Sequence, residues 1–168
     1  MSGAALRRRL RRLRALACDV DGVLTDGGLY YGPRGPALKR FDVKDGMGLR
    51  RVREAGLDLV WISGESGPIL RRRAEKLGVR DLFMGVEDKR AVLARWLARR
   101  GIPPEQAAYV GDDVNDLGCF DLVGLSFAPS DAVPAVRRAA HWISSRPGGA
   151  GAVREICDLI LSARGDSA

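Results

Sequence analysis

Asp19 and Asp21 stand two apart in Asp19-Val20-Asp21-Gly22, directly after a short apolar run. Residues two apart in an extended chain point the same way, so both carboxylates can face one ligand. Two acids this close repel unless a cation or a shared proton lies between them. Gly22 permits the turn by which the chain leaves so crowded a place. Gly111-Asp112-Asp113-Val114-Asn115-Asp116 puts three more acids after a second apolar run. One of them would suffice to cap a helix and complement its dipole, and three exceed that need. Together with Asp19 they form an oxygen-rich site for a hard cation. Mg²⁺ matches best, since it takes few carboxylates plus waters and phosphate. Ser63, which closes Leu59-Val60-Trp61-Ile62, and Lys89, which opens a helical stretch, add a hydroxyl and an ammonium. The equatorial oxygens of a phosphoryl group need such partners. Each fragment alone is ordinary, because acidic turns with glycine are common. The order Asp-x-Asp, Ser, Lys, Gly-Asp-Asp-x-x-Asp is the specific part.

Other chemistries are removed by composition. His141 is the only histidine, which excludes histidine-based metal sites, Ser-His-Asp triads and Cys-His nucleophiles. Cys18, Cys119 and Cys157 are widely spaced within apolar runs and read as buried free thiols of a reducing compartment. Neither Cys18 nor Cys119 has the arginine six residues on that a cysteine phosphatase loop requires. No run approaches the ~20 apolar residues of a membrane span. The cytoplasm is the expected location.

The elements that position these groups follow from periodicity. Short apolar runs at Ala15–Val20, Leu57–Ile62, Leu82–Phe83, Ala107–Val110, Gly124–Phe127 and Trp142–Ile143 read as strands. Helix-periodic stretches separate them at Gly48–Glu54, Ile69–Leu77, Lys89–Arg100, Ala132–Ala140 and Ala152–Leu161. Leu29–Tyr31 and Ala37–Phe41 flank Gly32-Pro33-Arg34-Gly35-Pro36 and read as a hairpin. This alternation predicts an α/β fold, a doubly wound parallel sheet with one β-hairpin insertion and no cap domain. Ligands of such sheets bind beyond the carboxyl ends of the strands, where the acids, Ser63 and Lys89 fall.

The 168 residues suit one domain, drawn over residues 15–164, with a frayed tail at Gly165–Ala168. The net charge of +7 is mostly local, because Arg7, Arg8, Arg9, Arg11, Arg12 and Arg14 precede position 15. The remainder is near neutral, so no nucleic-acid face is expected. Leu6, Leu10, Leu13 and Ala17 fall roughly on one helical face, which could suit a membrane surface or an acidic partner. The reading adopted for residues 1–14 is a solvated, flexible basic leader.

The ordered motifs resemble the haloacid dehalogenase superfamily of phosphohydrolases from Leu16 to about Leu161. They look most like its small capless branch, which acts on 8- or 9-phosphorylated 2-keto-3-deoxy sugar acids. Thr25-Asp26-Gly27, Lys44-Asp45-Gly46-Met47-Gly48, Ala108-Tyr109-Val110-Gly111-Asp112-Asp113 and Gly148-Gly149-Ala150-Gly151-Ala152-Val153-Arg154-Glu155 carry that likeness. The resemblance implies that Asp19 attacks phosphorus to form an aspartyl-phosphate and that Asp21 serves as general acid and base. It implies Mg²⁺ on the side chains of Asp19 and Asp112 and the backbone carbonyl of Asp21. Asp113 and Asp116 would hold its waters or Lys89, while Ser63 and Lys89 bind the phosphoryl group. Neither the stretch from Thr25 to Asp45 nor that from Ser63 to Lys89 has room for a cap. The branch builds a tetramer with its hairpin, so a homotetramer is expected, with a neighbour covering the site.

Substrate contacts are expected at Thr25, Asp45, Gly46, Gly64, Glu65, Arg72, Arg73, Lys76 and Arg154. Eight-carbon octulosonate 8-phosphate phosphatases typically carry arginine after the Ser/Thr-Gly of the second motif, whereas this chain has Glu65. Glu65 and Arg71-Arg72-Arg73-Ala74-Glu75-Lys76-Leu77 look more like the nine-carbon, sialic-acid-type branch. The plainer alternative is that Glu65 caps the following helix and the arginines coat its outside. The expected substrate is a nine-carbon 9-phosphate, with the octulosonate 8-phosphate as the alternative. A receiver-type signalling domain also combines acids, a hydroxyl, a lysine and Mg²⁺, but its acid pair and phosphorylated aspartate sit on different strands. A non-catalytic module of this fold would have lost Asp19, Asp21, Lys89 or Asp112, and none is lost.

Overall fold

The computed structural model describes residues 2–33 and 35–165. Six parallel strands form the sheet: β1 (Ala15–Cys18), β4 (Asp58–Ile62), β5 (Asp81–Phe83), β6 (Ala107–Val110), β7 (Leu125–Ala128) and β8 (Trp142–Ile143). Their order is β5-β4-β1-β6-β7-β8, every pair parallel. The chain therefore winds outward one way from β1 through β4 and β5, then returns and winds the other way from β6. The reversal lies between β1 and β6, where a crevice opens at the strands' carboxyl ends.

Strand sequences explain why the sheet is buried on both faces. Leu16 and Cys18 of β1, Leu59 and Trp61 of β4, and Ala108 and Val110 of β6 pack into one core. Their neighbours Ala15, Ala17, Val60, Ile62, Ala107 and Tyr109 pack into a second core on the opposite face. Alternation sends successive side chains to opposite faces, so a continuous apolar run serves both layers. Leu49 and Val52 of α2 (Val43–Glu54), Leu70 of α3 (Pro68–Leu77) and Ile156 and Ile160 of α7 (Ala152–Arg164) cover the first face. Leu93 and Trp96 of α4 (Lys89–Arg100), Phe120 of α5 (Leu117–Phe120) and Val136 of α6 (Pro134–Ala139) cover the second. Between β1 and α2 the chain adds only the antiparallel hairpin β2 (Tyr30–Gly32) and β3 (Gly35–Leu38).

Several sequence expectations shift. The hairpin strands lie nearer the turn than expected, and Phe41 instead bridges Thr25. Arg34 of that turn lies outside the described residues, as does the tail beyond Gly165. Helix α2 begins at Val43 rather than Gly48, capped by Asp42, whose side chain accepts from the Lys44 N–H at 2.6 Å. Glycine disfavours a helix interior, yet Gly46 and Gly48 both lie inside this one. Here the missing side chain is what α7 needs: a Cβ at Gly48 would lie 3.1 Å from Arg154 Cα and Cys157 Cβ.

The basic leader is the largest correction. Residues Gly3–Arg11 form helix α1, capped by Ser2. Leu10 and Leu13 are buried in the first core with Leu6 packed against it. Its arginines serve backbone carbonyls: Arg9 donates to Gly124 at 3.0 Å and Arg11 to Ala163 at 2.8 Å. The leucine spacing carried the structural signal, and the charge run obscured it. Among the described residues no helix is long and apolar enough to cross a membrane.

Candidate active site

Asp19 follows β1 and Asp112 follows β6, so the strand reversal brings them side by side. Strand pairing persists to the edge of the site, where the Asp19 N–H donates to the Val110 carbonyl at 2.9 Å. The chain then turns sharply through Gly22, at φ 81°. Thr25, fully buried, ties that turn, its Oγ1 accepting from the N–H groups of Gly22 at 3.2 Å and Gly27 at 3.3 Å. Ser63 follows β4, and Lys89 opens α4 behind the N-cap Asp88.

A cleft of about 230 Å³ lies over these ends, lined by Asp19, Asp21, Ser63, Gly64, Glu65, Lys89, Asp112, Asp113 and Asn115. Lys89 is buried, with Nζ 2.9 Å from Asp19 Oδ2 and 2.9 Å from Asp116 Oδ1. Burial alone would disfavour its charge, but the two carboxylates outweigh that and raise its pKa. Asp116 is fully buried and spent on donors. Its Oδ1 also accepts from Tyr109 Oη at 2.8 Å, and its Oδ2 from the Asp112 N–H at 3.0 Å. Asp113 is exposed and caps the turn at Val114, accepting at 2.6 Å.

Asp19 and Asp112 are differently placed. Asp19 is pushed up to about 7 by burial and then by the nearby Asp116 charge. Asp112 is pushed up to about 8 by burial and then by Asp19 and Asp116. Asp112 Oδ1 is buried without a hydrogen-bond partner among the described residues. One carboxylate oxygen each from Asp19, Asp112 and Asp116 lie within 4.8 Å of one another. Asp116 already accepts from Lys89, Tyr109 and backbone N–H groups, whereas Asp19 Oδ1 accepts only from the Val20 N–H at 2.7 Å, so Asp19 Oδ1 and Asp112 keep lone pairs for a metal. Buried, mutually repelling carboxylates with an orphaned oxygen fit a divalent hard cation such as Mg²⁺.

The eight residues Asp19, Asp21, Ser63, Gly64, Glu65, Lys89, Asp112 and Asp113 thus converge, with Asp116 beneath them. Other expected substrate contacts do not line the cleft. Asp45 is buried and caps α7, accepting from the N–H of Arg154 at 2.7 Å and of Gly151 at 3.3 Å. The Arg154 side chain turns to Asp158 at 2.7 Å. Arg73 donates to the Asp42 carbonyl at 3.0 Å and stacks on Phe41 at 5.4 Å. Gly46 faces Arg73 and Leu77, Lys76 lines a separate groove between α2 and α3, and Arg72 is exposed on α3. Thr25 shapes the turn from within. Glu65 does not cap α3, whose N-cap is Gly67 with no side-chain cap. Sequence reading missed two participants. Asn115 lines the cleft, and Lys39 pairs with Asp21. Asn115 could have been found as part of the acidic motif, whereas Lys39 reaches Asp21 only through the fold of the hairpin.

Comparison with known proteins agrees with this geometry. Residues 77–156 match a family model described as haloacid dehalogenase-like hydrolase. The 3-deoxy-D-manno-octulosonate 8-phosphate phosphatase of Haemophilus influenzae is 41% identical over 162 residues, covering 96% of this chain and 90% of that protein. The enzyme of the same name from Escherichia coli is 40% identical over 157 residues, covering 94% and 84%. The crystal structure of the Yersinia pestis enzyme of that name superposes with a TM-score of 0.94 at 42% identity, covering 96% of this chain and 88% of that one. The Moraxella catarrhalis enzyme, solved in complex with magnesium ion, phosphate ion and KDO, superposes with a TM-score of 0.95 at 33% identity, covering 98% and 95%.

Proposed function

The chain belongs to the haloacid dehalogenase-like hydrolases, as a Mg²⁺-dependent phosphatase of phosphoric monoesters, and from that premise we propose that its substrate is 3-deoxy-D-manno-octulosonate 8-phosphate. The observation that carries this reading is the likeness to phosphatases of that name across nearly their whole length, with the acids, Ser63 and Lys89 gathered in one cleft.

Each residue then has a task. Asp19 attacks phosphorus and becomes an aspartyl-phosphate. Asp21 protonates the departing sugar oxygen and then takes a proton from the water that releases phosphate. Ser63 and Lys89 bind the equatorial oxygens, the lysine offsetting their charge while it holds Asp19. The carboxylates of Asp19 and Asp112 and the Asp21 carbonyl would hold the metal, Asp113 would orient its waters, and Asp116 holds Lys89. When bound, Mg²⁺ offsets the repulsion between the attacking carboxylate and the phosphate dianion.

The cleft has no covering domain of its own, and water must still be excluded. A homotetramer supplies the cover, built on the hairpin, where Tyr30, Tyr31 and Leu38 expose apolar surface. The three free buried cysteines suit a reducing cytoplasm.

A second reading, a nine-carbon sialic-acid-type 9-phosphate, is favoured by Glu65, an anion on the cleft wall. Phosphate release from the two esters side by side, with Mg²⁺, separates them. The eight-carbon ester is expected to lead in kcat/KM by at least about tenfold, or ~1.4 kcal/mol. A lead for the nine-carbon ester would overturn the substrate in favour of the Glu65 reading, and turnover of neither would overturn the substrate class.

A further inference from the structure

Lys39 carries a side chain only 4% exposed, and its ammonium is paired with Asp21 Oδ1. The backbone explains how it gets there. Because Phe41 bridges Thr25 in antiparallel fashion, residues 39–41 run beside the turn that carries Asp21. Alternate side chains of an extended segment share a face. Phe41 packs against the core and the Lys39 side chain is buried, while Arg40 turns out toward Asp26 and the Gly149 carbonyl. A buried ammonium needs an acid, and the acid here is one that lines the cleft.

The two oxygens of Asp21 are therefore held differently. Oδ1 meets Lys39, and Oδ2 lies 3.4 Å from Ser63 Oγ, on the cleft side. An ammonium offers only donors, so the oxygen it touches acts as acceptor. Lys39 thus anchors the carboxyl through Oδ1 and leaves Oδ2, which accepts from Ser63 Oγ, as the oxygen beside the phosphoryl site.

We propose that Lys39 is a positioning residue for the leaving-group step, fixing the Asp21 carboxyl through Oδ1 so that Oδ2 faces the ester oxygen. In that step an Asp19 oxygen forms the bond to phosphorus. The P–O bond to the sugar breaks, its electron pair passes to the sugar oxygen, and the Asp21 proton follows onto it. The inference rests on the phosphatase reading above and adds to it the residue that aims the acid.

The test compares kcat/KM for wild type, Lys39→Met and Lys39→Arg on the sugar acid phosphate and on 4-nitrophenyl phosphate, each with Mg²⁺. A sugar alkoxide needs a proton to depart, whereas 4-nitrophenolate leaves without one. The constant kcat/KM reports steps through ester cleavage, so hydrolysis of the shared aspartyl-phosphate does not mask the difference. Lys39→Met is expected to lose on the order of 10²-fold on the sugar ester and to stay within about threefold on the nitrophenyl ester. Lys39→Arg, which keeps the cation, recovers part of the loss. Equal losses on both esters would overturn the proposal, since a folding or phosphate-binding role acts on both alike. Unchanged sugar-ester kinetics in Lys39→Met would overturn it too. Should Lys39→Met fail to fold, Lys39→Gln takes the same comparison. Wild-type activity on the nitrophenyl ester alone would count against the sugar substrate instead, and a simple alkyl phosphate then replaces it in the same measurement.

Discussion

A side chain at Gly22 would collide with Asp112, since a Cβ there would lie 2.0 Å from Oδ2 of that carboxylate. The turn after β1 and the loop after β6 thus approach to a distance only glycine allows. Gly22 also holds φ 81°, where other residues are strained by roughly 1–3 kcal/mol. Gly22→Ala is expected to lower the unfolding free energy by about that amount and to cost far more activity than stability, because Asp112 is displaced. Thermal unfolding and Mg²⁺-dependent phosphate release on the same preparation check this.

The metal-free protein is expected to lose stability as pH rises. Asp19 at about 7 and Asp112 at about 8 both stand above the carboxylate value of 3.8. Between these values the folded state holds protons that the unfolded chain has released, so stability is full below about pH 4 and falls through about pH 7–8. Mg²⁺ binds the deprotonated pair, so the rise in Tm on adding Mg²⁺ should grow from pH 6 to pH 8. Melting curves with and without Mg²⁺ across that range measure it; a metal-induced shift independent of pH would contradict the assignment of the pair.

Asp45 is expected to matter for stability rather than for substrate. It caps α7 across a long sequence gap, and loss of such a cap costs about 0.5–2 kcal/mol. Asp45→Ala should lower the unfolding free energy in urea by that amount while KM for the sugar ester stays within about threefold. A large rise in KM in a fully folded variant would return Asp45 to the substrate.

Helix α1 is expected to be part of the folded unit. Leu10 is 1% exposed, and truncating a buried leucine costs about 2–5 kcal/mol. Leu10→Ala should show that loss in urea unfolding, whereas Arg8→Ala, at an exposed position of the same helix, should lie within about 0.5 kcal/mol of wild type.

Much of this molecule is legible in its sequence. The parallel strands read as apolar runs because both faces are buried, and the acids announced themselves by standing at strand ends. What was not legible depends on contacts distant along the chain. Asp45 reads as a substrate contact in the sequence, and only the fold shows that its carboxylate also caps α7. Arg73 reads as a substrate contact in the sequence, and only the fold shows its guanidinium on the Asp42 carbonyl and Phe41. Lys39 gave no signal, since nothing in Leu38-Lys39-Arg40 indicates that the hairpin will lay it against Asp21. The leader misled because its charges drew more notice than its leucines.

The central claim is that Asp19 is the nucleophile of a Mg²⁺-dependent phosphatase. Phosphate release from 3-deoxy-D-manno-octulosonate 8-phosphate should be compared between wild type and Asp19→Asn, with both shown folded by circular dichroism. The account predicts Mg²⁺-dependent turnover by wild type and none above background by the variant. A folded Asp19→Asn that keeps wild-type turnover would contradict it.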